Sequence, residues 1–189
     1  YSHSNIYKHL DALCASTENK KANKSSLMEK FKEEHAREVS VLRDQIVNIT
    51  QEIESPALID PESAYDEVMQ TLEKIQNSIQ KNKKKAELYE EYEETFDFPR
   101  NEFYDIDTAE FNLHHLHLLW ESLEKWEAWS QEKFSMDFNS LTVEECKTTV
   151  GKFLDTLSEL KAKDEPNEVL TLLDNKVNAF KSKSPCISY

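Results

Sequence analysis

With 189 residues, a single glycine and a net charge of −14, this chain lacks the raw material of several common activities. Phosphate-cradling loops and nucleophile elbows depend on glycine, and neither G-x-x-x-x-G-K-[ST] nor G-x-S-x-G occurs anywhere in it. The negative balance also disfavours nucleic acid and acidic membrane, since both require a positive footprint on the protein.

Apolar residues recur at helical spacing along the whole chain, and no convincing period-2 strand appears. The expectation is an all-α, elongated bundle of about six helices built from antiparallel hairpins. A short first helix is expected over residues 4–16, followed by the polar stretch TENKKANKSS. The second covers about 25–54, with a stripe of Leu42, Ile46, Ile49 and Ile53 that Leu27 and Phe31 extend backward. The third, about 61–95, holds a heptad register through Tyr65, Val68, Leu72, Ile75, Ile79, Asn82, Ala86 and Tyr89. Asp60 is a natural cap for it and Pro61 suits a first helical turn. These two helices should fold back as an antiparallel hairpin of about 45 Å at 1.5 Å per residue. Asn82 in that seam either fixes register, as a lone polar residue does in coiled coils, or is simply tolerated near a frayed end.

Two further starts, Asp107-Thr-Ala-Glu110 and Thr142-Val-Glu-Glu145, have capping-box form. They predict a fourth helix over about 108–134 and a fifth over 143–163, the latter with Cys146, Val150, Phe153, Leu157 and Leu160 on one face. A sixth, about 166–183, buries Val169, Leu173, Val177 and Phe180. Two domains follow: a helical segment over 1–96 that contains the long hairpin, and a C-terminal bundle over 97–189.

The fourth helix contains HHLHLLWESLEKWEAW, three histidines and three tryptophans within 114–129. At 100° per residue, Glu110, His114, His117 and Glu121 fall on one narrow polar stripe. Phe111, Leu118, Trp129, Trp126, Leu119, Leu123, Leu116, Trp120 and Leu113 fill about 220° of the circumference, against ~100° for an ordinary surface helix. The tryptophans therefore read as core and this helix as the centre of its bundle. Four polar groups on one face have the spacing of metal ligands. Zinc sites, however, usually draw ligands from several elements, so a solvated face is the preferred reading and no metal or cofactor is expected. His115 should point toward the Trp126 side as a packed, hydrogen-bonded ring.

KNKKK at 81–85 could grip an acidic surface such as a microtubule, but ELYEEYEETFD follows at once, and a charged, solvated helix end is the better reading. No catalytic constellation stands out. The acidic residues fall on charged faces, where burial would not tune them. Catalytic, cofactor-binding and metal residues are thus expected to be none. Cys14, Cys146 and Cys186 are odd in number and far apart, as in the reduced thiols of an intracellular protein. No apolar run reaches membrane-spanning length and no signal peptide is seen. The chain opens on Tyr1 rather than methionine, which points to a fragment of something larger.

From LHLLWESLEKWEAW through FNSLTVEECKTTVGKFLDTLSEL the sequence resembles the dynein heavy chains where the tail (stem) passes into the linker. The resemblance is carried by Leu119-Trp120 and Trp126, by Phe138 to Leu141 leading into an acidic capped helix, and by Phe180-Lys181 with Pro185 and Ile187. It covers about residues 96–187. Cys186 departs from it, standing where a larger aliphatic residue is usual, and Gly151 interrupts a helix. The departures lean toward an axonemal (ciliary or flagellar) heavy chain. Dyneins hydrolyse ATP in a AAA+ ring and bind microtubules through a stalk. The resemblance therefore implies a cytoplasmic, cytoskeletal location and a non-catalytic strut within that motor, one that transmits force and docks partner subunits. Direct microtubule, membrane or nucleic-acid binding is not expected of it. The alternative is a spectrin-like rod or scaffold module, which should show a tryptophan in each repeat; here all three sit in one helix.

Overall fold

The structure, a computed structural model, describes residues 21–135, 143–162 and 166–183. Among these there are five α-helices and no strand: α1 Lys21–Ile53, α2 Tyr65–Phe96, α3 Tyr104–Ser135, α4 Val143–Lys161 and α5 Glu168–Lys183. The helix expected over 4–16 lies outside the described residues, as does Thr142 of the second capping box.

The helix boundaries show local chemistry overriding simple signals. Among the described residues α1 is already helical at Lys21, inside the polar stretch and ahead of the start expected near 25. KANKSS holds neither glycine nor proline, and lengthening an existing helix costs little. Helix α2 begins at Tyr65 rather than at Pro61. Asp60 spends its side chain on a turn: Oδ1 accepts the Glu62 N–H at 2.9 Å, its carbonyl accepts the Ser63 N–H at 3.1 Å, and Ser63 Oγ donates to the Ala57 carbonyl at 2.8 Å. A 3-10 turn, Pro56–Leu58, fills the rest of the connection and buries Leu58.

Helix α3 starts at Tyr104, one turn before the expected cap. Asp105 and Asp107 therefore lie in its first turn, where negative charge complements the helix dipole. Glu110 accepts from Gln80 Nε2 at 3.0 Å instead of closing a capping box. Helix α5 takes its cap from Asn167, whose Oδ1 accepts the N–H groups of Val169 and Leu170 at 2.9 and 3.1 Å. Pro166, the expected start, precedes the cap.

The chain divides into two compact units. The division crosses both hairpin helices, between 45 and 46 and between 81 and 82, rather than falling at 96/97. Unit 1 contains the described residues up to Gln45 together with Asn82–Phe103. Here α1 and α2 run antiparallel. Stepping back along α1, Gln45 accepts from Lys85 Nζ at 3.1 Å, Glu38 accepts from the Tyr89 hydroxyl at 3.1 Å, and His35 meets Glu93 at 3.0 Å. Phe31 and Phe98 are buried at one end, with Leu27, Met28, Tyr92 and Phe96 packed against them.

Unit 2 contains Ile46–Lys81 and the described residues from Tyr104 onward. Ile46, Ile49 and Ile53 of α1 and Val68, Leu72, Ile75 and Ile79 of α2 are buried there, as the heptad reading requires. Helices α3, α4 and α5 pack pairwise on one another. Val150 and Leu157 of α4 and Val169, Leu173 and Val177 of α5 sit at the bottom of that core.

Candidate functional site

Helix α3, marked out by its histidines and tryptophans, packs on both α4 and α5 in unit 2. Leu113, Leu116, Leu119, Trp120, Leu123 and Trp126 are all buried. At 100° per residue they span about 140°, still wider than the ~100° stripe of a surface helix. Ile106 and Ser122, also buried, widen the arc to about 200°, and beyond it one edge is open. Phe111 is 55% exposed, and Leu118 and Trp129 are half-buried.

Each buried tryptophan has a specific task. Trp120 is 2% exposed, and its indole N–H donates to the Leu58 carbonyl at 2.8 Å, fastening α3 to the α1–α2 connection. An indole buried without such an acceptor would lose a hydrogen bond it makes in water. Trp126 is the hub of an aromatic cluster. Its ring meets Phe153 of α4 at 5.1 Å and Phe180 of α5 at 5.6 Å, both near-perpendicular, and Trp129 at 5.3 Å. Trp129 in turn meets Phe180 at 5.1 Å. Edge-to-face rings put the positive edge of one on the negative face of the next, which adds direction to burial. Lys176 of α5 pairs with Glu127 at the rim of this cluster.

The polar stripe of α3 is a partly solvated face. His114 is exposed and His117 half-buried; burial is the main cause that pushes His117 below its ordinary value, with Glu121 opposing it. Glu121 accepts from Lys125 Nζ at 2.8 Å, and that hydrogen bond holds its carboxyl below the usual range. Among the described residues no group of three or more His, Cys, Asp or Glu is arranged to hold a metal ion. His115 is hydrogen-bonded, as expected, but to the Phe111 carbonyl at 3.0 Å, with its ring 4.2 Å from that of Phe111 rather than against Trp126. The KNKKK run lies within α2, not at a helix end, and Asn82 within it is 4% exposed.

A second constellation, in unit 1, escaped the sequence reading, which placed the acidic residues on charged faces. Glu93 is 3% exposed and His35 is 5% exposed. His35 Nε2 donates to Glu93 Oε1 at 3.0 Å; Asn101 donates its side-chain amide to the same oxygen and its backbone N–H to Oε2, both at 2.7 Å. Arg43 then donates to Asn101 Oδ1 at 3.1 Å, and its guanidinium lies 5.5 Å over the Phe103 ring. Tyr89, Tyr92, Phe31 and Phe98 surround the imidazole at 5.4 to 6.5 Å. The chain reverses beside this group. Asp97 adopts φ 54°, and the Phe98 N–H donates to the Glu93 carbonyl at 2.9 Å, the bond that closes a Schellman C-cap.

The signal for this pair was present. The α2 stripe 65, 68, 72, 75, 79, 82, 86, 89 alternates steps of three and four, and the next step lands on Glu93. On α1, His35 occupies the seam position between Phe31 and Val39, both buried. Breaking off the stripe at the first charged residue hid a polar pair that occupies core positions.

This geometry assembles packed seams with two internal polar ties. Among the described residues, no helix is long and apolar enough to cross a membrane. Dynein axonemal heavy chain 6 of Homo sapiens is 25% identical to this chain over 146 residues, covering 77% of the chain. The chain is similar to a segment of a dynein heavy chain. It spans about 4% of that protein's length. No protein-family model and no solved structure matches it.

Proposed function

We propose that this chain is a force-bearing helical segment of an axonemal dynein heavy chain, from the region where the tail passes into the linker. In this reading it performs no reaction and offers surface to partner subunits. The observation that carries the proposal is the similarity over 146 residues to an axonemal heavy chain. Its construction is suited to the role. Load applied to a helical element is transmitted only as well as its seams are packed, because close-packed interiors yield little. The long helices α1 and α2 bury apolar seams within each unit, and Trp120 and Trp126 tie three further elements to α3.

The test is made on the native protein. An antibody raised against these 189 residues should detect, in ciliated cells, a polypeptide far larger than this segment. That polypeptide should be bound to axonemes and enriched in high-salt extracts with the ATP-dependent motor fraction. A stand-alone product of the size of this chain, or one absent from axonemes, would overturn the proposal.

A further inference from the structure

Unit 2 carries a groove between α1 and α3 that none of its own described elements fills. Two hollows of about 290 and 280 Å³ adjoin there, with Asn112 lining both. The first runs past Val47 and Thr50 of α1 and Asp105 and Thr108 of α3; the second continues past Glu54 and Leu119 to Leu170 of α5. Together they follow α3 from 105 to 119, about 21 Å at 1.5 Å per residue, the length of roughly four helical turns. Val47 in its wall is 53% exposed. His115 lines it as well, and against that ring lies Phe111, 55% exposed.

Charge decides what fits. Glu54 and Asp105 line the groove, one in each hollow, and among the described residues no lysine or arginine does. A second copy of a chain with net charge −14 would bring more negative charge to them. An amphipathic helix satisfies its own backbone hydrogen bonds and offers only side chains, so it suits a groove with an apolar floor. We propose that this groove seats an amphipathic helix of a partner protein, whose apolar ridge lies over Val47, Asn112 and Leu119. Lysine or arginine residues on the flanks of that ridge meet Asp105 at one end and Glu54 at the other. The inference rests on the partner-docking half of the proposed function.

The test uses the full 189-residue chain and, as probe, a fluorescent helical peptide of about 14 residues with leucine on one face and lysine on the other. Saturable one-to-one binding is expected, weakened about tenfold or more by the double variant Asp105→Lys, Glu54→Lys and by Val47→Arg. The altered side chains are exposed, so folding should survive. A Leu/Glu peptide of the same pattern should bind about tenfold more weakly or not at all. Glu87→Lys with Glu90→Lys, in the acidic face of unit 1, should leave affinity unchanged. Equal loss in that control would mean diffuse attraction to an acidic protein and would overturn the groove. So would absence of binding, or self-association in sedimentation velocity that Val47→Arg abolishes. Any of these outcomes leaves the heavy-chain reading to its own test on axonemes.

Discussion

Single side chains carry much of the specificity here. Glu93 is 3% exposed and accepts three hydrogen bonds, so removing its carboxylate strands His35 and two donors of Asn101. Breaking a buried pair from one side costs about 3–5 kcal/mol, and Glu93→Ala is expected to show that loss in urea melts. Glu93→Gln, which keeps an acceptor, should lose less. Trp120→Ala removes a buried indole together with its bond to Leu58 and should cost about 3–5 kcal/mol by the same measurement; a loss below about 1 kcal/mol would mean that the ring is not core. Tyr89 gives a pH signature. Burial, and then Glu38 beside it, push its hydroxyl up from 10.0 to about 12. The fold therefore favours the neutral phenol. That contribution is complete below pH 10.0 and is lost as pH rises toward about 12. Tyr89→Phe should be less stable at neutral pH, where it lacks the bond to Glu38, yet decline less steeply across that alkaline window. Parallel stability curves for the two proteins would rule the argument out.

At the scale of elements, period and propensity were legible and boundaries were not. Most of the α2 heptad, the α4 face and the α5 face is buried where the spacing puts it, because a helix has one way to bury a stripe, while Tyr65, Phe153 and Phe180 are only half-buried. The starts were misplaced where a capping residue had other work: Asp60 closes a turn, Asp107 sits inside α3, and Asn167 rather than Pro166 opens α5. The exposed Phe111 was hidden from a helical projection, which counts apolar residues but cannot tell which sides have neighbours. The projection also carried no sign that the exposed edge beside a groove would matter. Gly151 is the one residue that propensity marks as a defect, and the structure gives it no purpose: a methyl group added there meets nothing within 4 Å. Gly151→Ala should therefore stabilise α4, by about 1 kcal/mol, and raise the melting temperature. A decrease would show that the open space around position 151 is needed.

For the whole molecule, composition spoke most clearly about what is missing. One glycine and a charge of −14 leave little with which to cradle a triphosphate or grip an acidic filament. The isolated chain is accordingly expected to release no phosphate from ATP and to stay in the supernatant with microtubules at physiological salt. Turnover above a buffer blank, or co-sedimentation, would contradict this. The division into two units was not legible, since both long helices run through it without a break in their pattern. The buried pair in unit 1 also bears on how the hairpin finds its alignment. Apolar stripes of similar residues can mate in several frames, and a shift of one heptad, about 10 Å, would still oppose greasy surfaces. It would also carry Glu93 from His35 to the level of Leu42 or Met28, stranding an ionisable group among hydrocarbons. A slipped frame thus carries its own penalty, so the pair discriminates in favour of the observed alignment.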